Sequence, residues 1–291
     1  MYSEIFATIA PIFACAGIGY GWARLGIPFE KEFLSRLVLN VGVPALVIGT
    51  LGRTGVSPQQ LLQVLGAAAA VLTATTAIAL AICRLYHLPV ATYMGPLIFP
   101  NTMNMGLPVS LFAFGEQGLA TALGIYLVVS LAQFSLGVAL VSGKYSLVDN
   151  LRSPVILSGA VAAALVFSGT TLPHWLQNSL DLLGNLVIPS MLITLGVSLS
   201  QLRLGDAGRS IALGATRVVM GFSVGYLVAW LLDLQGPVRG VVIIQSAMPA
   251  AVFNYILAFK YRRSAEAVAG IVIASTLCSF ISLPLLLWLL H

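Results

Sequence analysis

Charge is what this sequence has least of. Lys and Arg number 14, Asp and Glu 9, so only 8% of the 291 residues are charged, against about 25% in a soluble domain. So few charges cannot clothe a water-facing surface of this size. Hydrophobic residues make up 59% and mean hydropathy is +0.99, so lipid is the expected solvent for much of the chain. Cysteines are few as well: Cys15, Cys83 and Cys278 are scattered through apolar runs with no metal-ligand spacing, and they read as small buried hydrophobes rather than a metal site. His87, His174 and His291 fall in loops or at the terminus without clustering, so no metal, no cofactor and no histidine-based catalysis is expected. No other convergence of Asp, Glu, Ser–His or Cys–His groups suggests an enzyme. The net charge of +5 does not read as nucleic-acid binding. No basic residue precedes the first apolar run, which is therefore taken as a true span rather than a cleaved signal.

What is present is a series of apolar runs long enough to cross a bilayer. They fall at 5–23, 33–52, 62–84, 92–114, 118–142, 154–169, 174–200, 208–232, 238–259 and 266–290, separated by Gly, Pro and charged residues. The sixth is the shortest and is rich in Ala. The expected fold is an all-α integral membrane protein of ten transmembrane helices. No linker could hold a soluble domain, and the most polar stretch, 142–153, divides the chain into two sets of five. One set of loops, after the odd-numbered spans, carries Arg24, Lys31, Arg36, Arg84, Lys144, Arg152, Arg203, Arg209, Lys260, Arg262 and Arg263; the other carries only Arg53 and Arg239. Under the positive-inside rule the rich side, including residue 147, is cytoplasmic. Both termini and residue 55 are then extracytoplasmic, in a multi-pass protein of the cell (inner) membrane.

The halves echo one another. Asn40-Val-Gly-Val-Pro44 in span 2 matches Asn185-Leu-Val-Ile-Pro189 in span 7. Leu111-Phe-Ala-Phe114 matches Ile256-Leu-Ala-Phe259 at the same offset of 145 positions, and Pro28 matches Pro173. A unit of five crossings re-enters the membrane from the opposite side when repeated. The chain is thus expected to be an inverted 5+5 repeat, residues 1–145 and 146–291, an arrangement that gives carriers nearly equivalent outward and inward states.

The fourth and ninth spans carry the candidate chemistry. Span 4 reads Phe99-Pro-Asn-Thr-Met-Asn-Met-Gly-Leu-Pro108, and span 9 reads Gln245-Ser-Ala-Met-Pro249 and continues to Asn254. Proline removes a backbone donor and clashes with the preceding turn, and freed backbone groups must face protein or water rather than lipid. Interrupted helices at matching positions of two halves point to a carrier's binding site. These two are expected to unwind and cross near the midplane, with half-helix N-termini offering partial positive charge. Pro100, Asn101, Asn104, Gln245, Ser246, Pro249 and Asn254 are the candidate substrate-binding residues. Neutral amides and helix dipoles suit a small organic anion such as a carboxylate. A competing reading stays open, in which the prolines only kink packed helices and the amides only join them. Ser130, Gln133, Ser135, Ser275 and Thr276 on spans 5 and 10 are candidates for an ion or support site, with helix packing an equal alternative. No Asp or Glu lies mid-span, which argues against a buried proton relay; sodium or proton coupling stays undetermined. Arg217, about two turns inside span 8, is either functional or snorkels to the interface. Gly42, Gly49, Gly184 and Gly196 are expected to let helices approach closely.

The segment Pro100-Asn-Thr-Met-Asn-Met-Gly-Leu-Pro108 resembles the helix-4 signature of the auxin efflux carrier family: Pro-Asn-Thr, two variable residues, Met-Gly, an aliphatic residue and Pro. That family includes the plant PIN-FORMED carriers and bacterial transporters of dicarboxylates such as malate and malonate. Gly115-Glu116 is similar to the turn that follows the signature, and Gln245-Ser-Ala-Met-Pro249 with Ala258 and Tyr261 is similar to the family's helix 9. The resemblance covers essentially the whole chain. It implies a fold shared with the bile acid:sodium symporters, with helices 1, 2, 6 and 7 as scaffold and helices 3–5 and 8–10 as a moving transporter unit. It also implies elevator-type alternating access, contact of Asn101 with the substrate carboxylate, and a homodimer formed through the scaffold. The sequence departs from the plant pattern in three places. Asn254 stands where plant carriers have a second proline, which argues against auxin itself. Val71-Leu-Thr-Ala-Thr-Thr76 lacks the acidic residue of helix 3, and the central loop is short. A channel or non-transporting sensor of carrier-like fold is the alternative function, with a membrane enzyme the least supported.

Overall fold

A computed structural model describes residues 2–143, 151–202 and 205–290. Lys144, Leu147, Arg203 and His291 of the sequence reading lie outside the described residues. Among the described residues the fold is helical, with a single isolated antiparallel bridge, Pro100 to Ala250, and no sheet.

Seven helices are long and apolar enough to cross a membrane. In chain order with the shorter helices between them, the elements are α1 (Ile5–Arg24), α2 (Lys31–Arg53), α3 (Pro58–Leu85), α4 (Val90–Ile98), α5 (Thr102–Ser142), α6 (Pro154–Ser168), α7 (His174–Gln201), α8 (Ala207–Leu231), α9 (Gly236–Ala247), α10 (Val252–Lys260) and α11 (Ala265–Leu290). The difference from ten uninterrupted runs has local causes. The apolar run 92–114 is cut at 99–101, and the run 238–259 is cut at 248–251. The run at 154–169 forms a helix of only 15 residues. The two runs on either side of Gly115 are joined in α5, although Gly115 itself is non-helical (φ 62, ψ −155) and bends the chain there.

Not every proline breaks its helix. Pro44 and Pro108 each follow a five-residue π turn, Val38–Gly42 and Thr102–Gly106. The wider turn, closed by bonds such as Gly106 N–H to the Asn101 carbonyl at 3.1 Å, makes room for a ring without an N–H donor. Both prolines then sit in the first turn of the following α-helix, where a missing donor costs little. The interruption in span 4 therefore lies at Pro100 alone. Elsewhere the helix starts are conventionally capped: Ser57 and Gln60 form a reciprocal capping box for α3, and Asp206 accepts the Arg209 N–H at the start of α8.

Packing groups the helices. α1 lies along the second half of α7, and α2 packs on α6 and α7. Gly42, Gly49, Gly184 and Gly196 all lie in these contacts, facing Val187, Leu180, Leu46 and Ala16 respectively. At Gly196 an added Cβ would strike the Ala16 carbonyl oxygen, so only glycine allows α1 and α7 to come this close. Separately, α8 packs on α9, α11 and α3, while α5 packs on α3 and α9. Large apolar side chains such as Phe6, Trp175, Leu182, Trp230 and Ile281 remain exposed on the outside, the pattern of a surface solvated by lipid.

Candidate functional site

The two cut helices meet end to end. α4 stops at Ile98 and α9 at Ala247, and the extended residues beyond them pair in opposite directions. The Asn101 N–H donates to the Pro249 carbonyl at 2.7 Å, and the Ala251 N–H donates to the Phe99 carbonyl at 3.0 Å. The Ala250 N–H is taken by the Ser275 hydroxyl at 3.0 Å. Backbone groups released by the breaks are thus satisfied inside the protein, as a non-helical segment at membrane depth requires. From this crossing α5 and α10 start, and their first turns face the same space.

That space is a cavity of about 240 Å³. Its floor is Pro100, Asn101 and Ala251; Thr102, Met103, Val252 and Phe253 belong to the two helix starts. Its walls include Asn104, Tyr126, Ser130, Gln133, Thr194 and Ser198, and Lys31 stands at its edge. No carboxylate lines it among the described residues, and Lys31 is its one charged group. Two helix N-termini and a lysine make the field positive. The half-buried Lys31 ammonium donates to Gln201 Oε1 at 2.6 Å, tying the start of α2 to the end of α7.

Asn101 caps α5: its side-chain oxygen accepts the Asn104 N–H at 3.3 Å. That bond orients the amide, and its Nδ2 is buried with no partner. A buried amide donor left open beside a cavity is costly unless a ligand or water accepts from it. Asn104 lies one turn on, half-buried on the cavity wall. Asn254 is buried further back, its Nδ2 directed to the Phe99 carbonyl at 3.4 Å and its Oδ1 accepting from Gln133 Nε2 at 3.5 Å. These two amides bind the crossing to α5. Pro249 and Pro100 shape the bridge itself.

Gln245 and Ser246 lie on the far side of the crossing, away from the 240 Å³ cavity. Gln245 Nε2 donates to Ser110 Oγ at 3.3 Å, while its Oε1 has no partner; the Ser246 hydroxyl donates back to Val242 O at 2.7 Å. The remaining candidates divide in the same way. Ser130 and Gln133 reach the cavity. Ser135 and Thr276 are occupied by carbonyls of their own helices, at 2.6 Å and 2.7 Å, and Ser275 braces the Ala250 N–H. Arg217 is 1% exposed, so it does not snorkel to the interface. Lys31, Tyr126, Thr194 and Ser198 escaped the sequence reading. Thr194 and Ser198, four positions apart on one face of α7, were the legible signal among them.

At the other end of the molecule a second polar cluster, Arg53, Glu116 and Asp181, lines a cavity of about 320 Å³ between α2, α5 and α7. Arg53 pairs with Asp181 at 2.6 Å and with Glu116 at 2.9 Å. Gln177 Nε2 holds the second Asp181 oxygen at 2.9 Å and the Gly49 carbonyl at 3.1 Å. Lys31 and Arg53 mark the two ends of α2, about 33 Å apart at 1.5 Å per residue. The Asn101 cavity thus reaches toward the Lys31 end, and the ion pairs join α2, α5 and α7 at the opposite end.

A family model described as a membrane transport protein matches residues 138–287. An uncharacterized transporter of Methanocaldococcus jannaschii is 25% identical over a 303-residue alignment that covers 94% of each chain. An uncharacterized transporter of Methanothermobacter thermautotrophicus is 26% identical over 294 residues, 96% of each. A helical protein with membrane-spanning apolar helices, similar along its length to two transporters and matched over its second half by the family model, belongs to the membrane transport protein family, that of the auxin efflux carriers.

Proposed function

We propose that this protein is a carrier that moves a small organic anion, a carboxylate, across the cell membrane by alternating access around the α4–α9 crossing. The observation that carries the reading is the unpartnered Asn101 Nδ2 at the floor of a cavity that holds a lysine and two helix starts but no described carboxylate. A carboxylate would accept from Asn101 and sit in the positive ends of both helix dipoles. At about 240 Å³ the cavity falls below the roughly 300–1,000 Å³ typical of drug-sized ligands, which favours a small mono- or dicarboxylate over a steroid acid.

In this reading α4 with the first part of α5, and α9 with α10, are each one interrupted crossing. The kink at Gly115 divides α5 into two crossings and α6 supplies a short one, so the chain makes ten crossings in two inverted halves. The close packing of α1 on α7 and of α2 on α6 and α7, with α5 contacting both this group and α3 and α9, is compatible with a scaffold and a moving unit that meet along α5. The Asn101 cavity reaching toward the Lys31 end corresponds to an inward-facing site if the lysine-rich side is cytoplasmic.

Solid-supported-membrane currents from proteoliposomes test this reading. Malate, malonate, citrate, an aromatic acetate and a bile acid are applied in sodium and in potassium. A saturable transient for one of the smaller acids, shifted to much higher concentration in Asn101→Ala, is expected. Silence for all of them, together with no displacement in binding assays, would overturn it.

A further inference from the structure

Among the described residues Arg217 is the one charged side chain that is fully buried. It projects from α8 and donates Nη2 to the carbonyl of Ser246, near the end of α9, at 3.0 Å. Its Nε and Nη1 have no partner, and no described carboxylate pairs with it. An arginine keeps its charge in any surroundings. One carbonyl at a helix end supplies only a fraction of the opposite charge. A buried positive charge with no counter-charge is costly, so this guanidinium calls for an anion.

The neighbouring polar groups do not provide one. Gln245 Nε2 donates to Ser110, and its Oε1 lies against Gly106 rather than Arg217. The Ser246 and Thr75 hydroxyls donate to carbonyls of their own helices, at 2.7 Å and 2.8 Å. What borders the arginine is a cavity of about 20 Å³ on the far side of the crossing from the Asn101 cavity. Its walls are mainly apolar side chains of α3 and α5, among them Val71, Leu72, Ile125 and Val129. Room of that size takes one water or one monoatomic ion, and no carboxylate, sulfate or phosphate. Apolar walls are a poor cage for a cation. They suit a large, weakly hydrated, singly charged anion, which takes hydrogen bonds from the guanidinium on one side and apolar contacts on the others.

We propose that this cavity is a halide site, in which chloride accepts from the Arg217 guanidinium and serves as its counter-ion. The ion joins α8 to the walls formed by α3 and α5, beneath the bridge between Pro100 and Ala250. The site is separate from the carboxylate cavity, and its test reads halide binding rather than flux.

Thermal unfolding of the purified full chain is followed while sodium gluconate is replaced stepwise by NaCl or NaBr at constant ionic strength. Both halides are expected to raise the unfolding temperature of the parent protein saturably, by about 4 °C. Arg217→Met keeps the length of the side chain without its charge, and is expected to unfold at the same temperature in gluconate and in halide. A flat response of the parent overturns the proposal, because water then suffices at the arginine. An equal saturable response in parent and Arg217→Met also overturns it, because the ion then binds elsewhere. If Arg217→Met aggregates, anomalous scattering from parent crystals grown in NaBr decides: a bromide peak within hydrogen-bond reach of the guanidinium upholds the site, and no peak there overturns it. Carboxylate flux enters none of these outcomes, so the carrier reading and the halide site fail separately.

Discussion

The backbone N–H of Asn101 is bonded to the Pro249 carbonyl at 2.7 Å while its side-chain Nδ2 has no partner. One residue therefore serves the fold through its main chain and keeps an unpartnered side-chain donor beside the cavity. Asn101→Ala keeps the bridge and removes the donor. The expected result is a monodisperse protein whose apparent affinity for its carboxylate falls about 10- to 100-fold, the worth of one hydrogen bond to a charged group. Concentration dependence of the transport current, alongside thermal unfolding, measures both effects.

Arg53 joins α2 to Asp181 of α7 and to Glu116 beside the Gly115 bend. If the α5 bend moves against α2 and α7 during transport, the Glu116 pair is broken in the alternate state while the Asp181 pair persists. The Arg53 side chain is 40% exposed and Glu116 53%, so the Glu116 pair contributes at most about 1 kcal/mol. Glu116→Gln is expected to shift the population toward the other state by up to about five-fold. Thiol accessibility of a cysteine placed at Ser198, on the cavity wall, should fall accordingly; unchanged accessibility would deny the pair any part in gating.

Ser275 supplies the hydroxyl that accepts the buried Ala250 N–H. Ser275→Ala leaves that donor without a partner, at a cost of about 1–3 kcal/mol. A fall in unfolding temperature of about 2–10 °C is expected by fluorimetry. Thr276→Val removes a hydroxyl bonded only within its own helix, and is expected to change the unfolding temperature far less.

The orientation is testable with impermeant thiol reagents in a background lacking Cys15, Cys83 and Cys278. Gln59→Cys, exposed at the start of α3, is expected to react from outside intact cells, and Leu147→Cys only after permeabilisation. The reverse pattern would invert the assignment of the lysine-rich face.

Much of this was legible in the sequence because lipid leaves strong signatures. Span limits follow from the absence of charge, and the positions of the cuts follow from Pro100 and Pro249. The register at the crossing was not legible. The sequence match sets Phe114 against Phe259, an offset of 145, whereas the bridge pairs Pro100 with Ala250, an offset of 150. The Thr102–Gly106 π turn takes up only about one residue of that difference, and no side-chain pattern announces a π turn. Nor could the sequence sort the polar residues by side. Asn101 and Gln245 are both amides beside a proline break, yet one lines the 240 Å³ cavity and the other lies behind the bridge with Arg217. The distinction is made by the direction of each half-helix, which composition does not encode. Lys31 was counted only as a charge, because its place at the cavity edge depends on where α2 meets the end of α7.

The bridge between Pro100 and Ala250 is built from peptide groups, and peptide groups are common to every amino acid. Replacing the side chains around it can alter what the cavity accepts without removing the element on which the cavity rests. Tyr126, Thr194, Ser198 and Asn104 line the cavity but contribute nothing to the bridge itself. Relatives sharing a quarter of their residues could thus diverge widely in cargo while retaining the same floor.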